Sequence, residues 1–161
     1  MLKSFDALLD LPYFLGEEQT PGSIEAATMG AERGHPLFKY LLDYYEERHF
    51  VLSDGRLDTR PLPSIMSEII GARFRVVNIS SISSFNYKSD CLSLFSKDYF
   101  SPMRWDTHEI ECTNNTYSIH HFAASWHSTK HTLFAFVARC LGSRAKAHKL
   151  VLLLKRVKLV K

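Results

Sequence analysis

Cysteine is scarce in this chain. The three residues, Cys91, Cys112 and Cys140, are far apart, and no Cys-x-x-Cys pair occurs. A thiolate zinc site and a disulfide framework both need closer or paired spacing, so neither is expected, and reduced thiols of a cytoplasmic protein are the plain reading. Long apolar runs are also missing. The longest aliphatic stretch, Leu150 to Leu154, falls far short of the roughly 18 residues a membrane span requires. The start, "MLKSFD", lacks the basic opening and apolar block of a secretory signal. No internal repeat is present, and only the Ser-rich segment 80–98 is compositionally biased.

Acidic residues are missing from the last part of the chain. Residues 1–111 carry all 17 acidic residues against 11 Lys/Arg, a balance of −6, whereas residues 112–161 carry nine Lys/Arg and no acid, a balance of +9. A segment so charged is suited to phosphates, on an anionic membrane or on nucleic acid. The wheel of the tail is imperfect, with Lys149 and Arg156 on one side but Lys155, Lys158 and Lys161 spread around the rest. Nucleic-acid binding is disfavoured, because aromatic interleaving and any recognisable motif are lacking.

What remains is an ordinary globular composition, 45% hydrophobic and 23% charged over 161 residues. A chain of this length buries roughly 70% of its unfolded surface. Leu2 to Leu11 reads as a short helix or turn closed by Pro12, Glu17 to Gly22 as a polar loop, and Ile24 to Met29 as a strand. "GHPLFKYLLDYYEERHF" is the clearest helix. Pro36 suits its first position, Leu37, Leu41 and Tyr45 recur on one face, and Arg48 and His49 suit its last turn. Ser64 is placed to cap a helix "SIMSEII" that stops at Gly71; Phe74 to Ile79 reads as a strand, with weak strand character again at Leu92 to Phe95. From Ser128 the pattern is helical, interrupted near Gly142.

The stretch "NTYSIHHFAASW", Asn115 to Trp126, places two adjacent histidines in what reads as a buried strand. Strand alternation puts Tyr117, Ile119 and His121 on one face and Thr116, Ser118 and His120 on the other. The first set is mostly apolar, so His121 is expected in the core and His120 at a cleft. Adjacent strand residues point apart, and no carboxylate or thiol lies within a few residues. Spacing alone therefore leaves a hydrogen-bonded structural histidine as the alternative to a ligand.

Three stretches taken together, "MGAERGHPLFKYLLDYY" (Met29 to Tyr45), "KDYFSPMRWDT" (Lys97 to Thr107) and "NTYSIHHFAASW", resemble the bacterial glycosyltransferases of the DXD-containing sugar-binding type (family 32), which include capsular and surface-polysaccharide synthesis proteins. The resemblance covers residues 1–128. It implies part of a GT-A-like α/β fold over 1–128, followed by a basic helical tail over 129–161. Members hold a divalent cation, Mn2+ or Mg2+, through an Asp-x-Asp motif that bridges it to the donor diphosphate. This chain has no Asp-x-Asp, and "LKSFDALLD" resembles the segment that follows that motif. The expectation is a chain lacking the N-terminal nucleotide-binding half.

By resemblance, His120 is the cation or diphosphate ligand and His121 the second choice. Ser125 and Trp126 would close over the donor phosphates, and Asp58 and Thr59 would contact sugar or acceptor. The plain alternatives are a core anchor for Trp126, a turn for Ser125, a solvated Asp58 and a helix-entry role for His35. The implied function is a retaining hexosyltransferase that uses a nucleotide-sugar donor and a polysaccharide or lipid-linked glycan acceptor. It is expected in the cytoplasm, at the inner face of the cell membrane through 142–161. The competing expectation is an inactive remnant or an acceptor-binding module.

Overall fold

The computed structural model describes residues 2–122, 134, 136–138 and 140–156. They form a mixed α/β structure whose chain divides into two compact units, Met1–Pro102 with Cys112–His120, and Met103–Glu111 with His121–Lys161.

The first unit is built on a four-stranded mixed sheet in the order β2-β1-β4-β3, formed by β1 (Tyr13–Glu17), β2 (Ile24–Ala31), β3 (Arg75–Ile79) and β4 (Cys91–Phe95). β1 and β2 are an antiparallel pair with a bulge between Leu15 and Glu17, while β4 runs parallel to both β1 and β3. Strands at the centre of a parallel arrangement are covered on both faces and read as continuous apolar runs. β4, "CLSLF", is buried at all five positions, and β1 is buried from Tyr13 to Gly16. The polar loop expected from Glu17 therefore begins one residue late, and the strand before it carried no alternation to announce it.

Side chains leave the two sheet faces alternately and build two cores. On one face Tyr13, Leu15, Leu92 and Leu94 pack with α2 (Pro36–Asp43) and α3 (Leu62–Gly71). On the other, Phe14, Phe95, Tyr99, Phe100 and Tyr117 form an aromatic cluster with Leu8 of the short helix α1 (Asp6–Leu9). Gly16 is required where these layers meet, since a Cβ there would lie 2.5 Å from the Phe100 ring.

Several expectations need correction. α2 ends at Asp43, and the chain then turns through Tyr44 to Glu47, whose φ is +61°. Arg48 and His49 thus fall beyond the helix. α3 starts at Leu62, with Pro61 at its N-cap and the Ser64 amide donating to the Pro61 carbonyl, so Ser64 is not the cap. His35 does serve as a helix-entry residue, its side chain accepting from the Leu37 amide.

The segment 115–122 is not a strand. It runs beside Tyr99 and Phe100, where the Tyr117 amide donates to the Tyr99 carbonyl at 2.8 Å and the His120 amide to the Phe100 carbonyl at 3.1 Å. Thr116 and Tyr117 are both buried, and His121 is exposed, not a core residue. Without a partner strand holding its pleat, the segment takes its burial from the aromatic cluster under Tyr117.

In the second unit, Met103 and Ile110 bridge a turn in which Arg104 pairs with Asp106 at 3.1 Å. Gly142, with φ +62°, precedes α4 (Arg144–Arg156). No helix among the described residues is long and apolar enough to cross a membrane.

Candidate functional site

The chemistry converges at the turn between β1 and β2. The start of β2 is anchored by Ser67 of α3, whose hydroxyl accepts from the Ile24 amide at 3.1 Å and donates to the Pro63 carbonyl at 2.8 Å. Gln19 in the turn donates to the Ser101 carbonyl at 2.6 Å, which ties the turn to the segment carrying Tyr99 and Phe100. Along that segment lies 116–120, and the Thr28 and Ser118 hydroxyls meet at 3.3 Å. Residues 99–101 and 116–120 are thus brought beside β2 and its turn, whereas Met29 to Ala31 pair with Leu15 to Tyr13, at the end of β1 away from that turn.

At this end His120 stands against Glu25, with Nδ1 3.2 Å from Oε1. Glu25 is wholly buried. Its Oε1 also accepts from the Ala27 amide at 2.7 Å, and Oε2 is buried without a hydrogen-bond partner. A buried carboxylate oxygen without a donor is costly, and its nearest compensation is the imidazole. The His120 pKa is accordingly raised above 6.5. The contact with Glu25 is the largest cause, burial opposes it, and the charges of Glu25 and Glu18 add to it. Glu18, half-buried on the same turn, has its carboxyl pKa raised by burial and by the neighbouring Glu25, against the pull of His120 and a hydrogen bond from Ser23. The cluster sets Glu18 and Glu25 about one imidazole.

Sequence reasoning reached His120 and missed both carboxylates. Glu25 lies in the strand read over Ile24 to Met29 with no role assigned to it, yet Ile24 and Glu25 are both buried. The available signal was its setting, "SIEAAT", where an acid is flanked on each side by apolar residues. Asp58 lies on the loop between α2 and α3. It pairs with Arg48 at 2.9 Å and accepts from the Arg60 amide, so its carboxyl pKa is held down first by Arg48. Thr59 beside it is exposed. Ser125 and Trp126 lie outside the described residues.

No group of three or more His, Cys, Asp or Glu among the described residues is arranged to hold a metal ion, and His120 Nδ1 faces Glu25. Two surface depressions lie away from this cluster. One of about 690 Å³ runs along Met29 to His35 and the facing side of α2; another of about 260 Å³ is walled by Tyr13, His35, Tyr40 and Phe74.

No protein-family profile, curated protein or solved structure matches this chain.

Proposed function

We propose that this chain is the glycan-handling part of a GT-A-like glycosyltransferase, which moves a hexose from a nucleotide-sugar to a surface polysaccharide or lipid-linked glycan with retention of configuration. The observation that carries the reading is the pairing of His120, in the last of the resembling stretches, with buried Glu25. Carboxyl groups beside a bound glycan exchange hydrogen bonds with sugar hydroxyls, and Glu18, half-buried on the turn, is the residue assigned that work; Glu25, wholly buried, acts through His120.

His120 contributes positive charge. When the bond between the anomeric carbon and the diphosphate oxygen breaks, negative charge grows on the departing phosphate and positive charge on the sugar ring. His120, whose pKa Glu25 raises and whose side chain is 28% exposed, is the group assigned to meet the first of these. The carboxylates suit the second. An acceptor hydroxyl then forms the new bond, and its proton leaves with the departing phosphate, so a dedicated general base is not needed.

The resemblance also implies a Mn2+ or Mg2+ ion at the donor diphosphate. The second reading, an acceptor-binding module that takes no donor, is favoured by the excess negative charge of Glu18 and Glu25. Calorimetric titration of uridine and guanosine diphosphate-sugars, with and without manganese, separates the two. The transferase reading expects binding that weakens at least tenfold in His120→Ala. Absence of donor binding under both conditions, with binding of oligosaccharide retained, favours the module, and absence of both overturns the proposal.

A further inference from the structure

We propose that α4 docks the chain on an anionic membrane surface, lying in the headgroup plane with two leucines inserted and its lysines on the phosphates. This goes beyond the transferase reading and does not depend on it.

Among the described side chains of α4, burial follows one stripe. Ala147 is fully buried and Val151 half-buried, four residues apart on the same face. Away from that stripe, Leu152 and Leu153 are 49% and 56% exposed. Lys149 is three residues before one and four before the other, so the three side chains adjoin on the helix surface; Lys146 extends the same face one turn towards the N-terminus. Both lysines are exposed. The helix contains no acidic residue, and neither does any of 112–161.

Two terms therefore act on the same face. Exposed leucines gain by leaving water for acyl chains, and each Lys near an anionic leaflet gains Coulombic attraction, its methylene stem lying along the apolar surface. Nucleic acid would use the lysines and leave the leucines wet. A purely electrostatic partner gives Leu152 and Leu153 nothing to do, whereas an interfacial bilayer uses both residue types. The helix is too polar to cross the bilayer, with five basic residues and a histidine in its 13 positions.

The test is sedimentation of the full chain with vesicles of pure phosphatidylcholine and with vesicles in which one third is phosphatidylserine. Binding is expected on the anionic vesicles and reduced by salt. Lys146→Gln with Lys149→Gln should weaken it about 25-fold, from roughly fivefold for each basic residue. Leu152→Ser with Leu153→Ser should weaken it at least fivefold at unchanged charge. All four residues are solvent-facing, and circular dichroism of each variant establishes that it is folded. No enrichment on anionic vesicles overturns the proposal. So does binding that ignores the leucine changes, or salt-sensitive binding to RNA or duplex DNA that is tighter than binding to vesicles.

Discussion

Glu25→Gln isolates the charge of the buried carboxylate while leaving its shape and an oxygen for the Ala27 amide. At 3.2 Å the Coulomb attraction to His120 is about 5 kcal/mol at an effective dielectric of about 20, before the desolvation of both groups is subtracted. Hydrogen bonds to charged groups net about 1.5–3 kcal/mol after that subtraction. The folded pKa of His120 lies above 6.5, so the pair's stabilisation is complete below 6.5 and is lost as pH rises through the folded value. The variant should therefore lose about 2 kcal/mol near pH 5 and much less at a pH above the folded His120 value, where the charged pair is gone. Urea unfolding at the two pH values reads this difference. The His120 titration, followed by NMR, should fall below its ordinary value, because burial then outweighs the remaining pull of Glu18. An equal loss at both pH values, or an unmoved His120 titration, refutes the coupling.

Other outcomes follow from neighbouring features. Gly16→Ala should cost about 1–3 kcal/mol by forcing the new methyl against the Phe100 ring, and the cost should largely vanish in combination with Phe100→Leu, as a double-mutant cycle in urea would record. His35→Asn keeps a capping acceptor, so it should cost under about 1 kcal/mol near neutral pH. Burial lowers the His35 pKa below 6.5, so its neutral form stabilises the fold above 6.5 and that contribution is lost as pH falls through the folded value. The asparagine variant should accordingly lose less stability than wild type between about pH 6.5 and pH 5, and a steeper loss in the variant would contradict the assignment.

Much of the frame was legible because it rests on short-range rules. The spacing of Leu37 and Leu41 after Pro36 marked α2, the β-branched residues of 74–79 marked β3, and Gly34 with His35 marked the helix entry. β1 was not legible, since "YFLG" between two polar loops is buried on both faces and so shows no alternation. The same effect misled the reading of 115–122. Its burial is set by a neighbouring loop and an aromatic cluster more than fifteen residues away in sequence, and alternation has no bearing on that. His120 was reached by the right residue type and the wrong geometry. Its real partner, Glu25, comes from 95 positions earlier, brought alongside by Ser67, Gln19 and the Phe100 carbonyl.

The central claim is that the Glu18–Glu25–His120 cluster meets a sugar nucleotide or its glycan acceptor. Its most direct test is NMR of the histidine-labelled chain during titration with diphosphate-sugars and with oligosaccharides. The His120 resonance should shift saturably with at least one ligand, more than the His35 resonance, and the shift should disappear in Glu25→Gln. A folded chain whose His120 resonance ignores every diphosphate-sugar and oligosaccharide added would contradict the account.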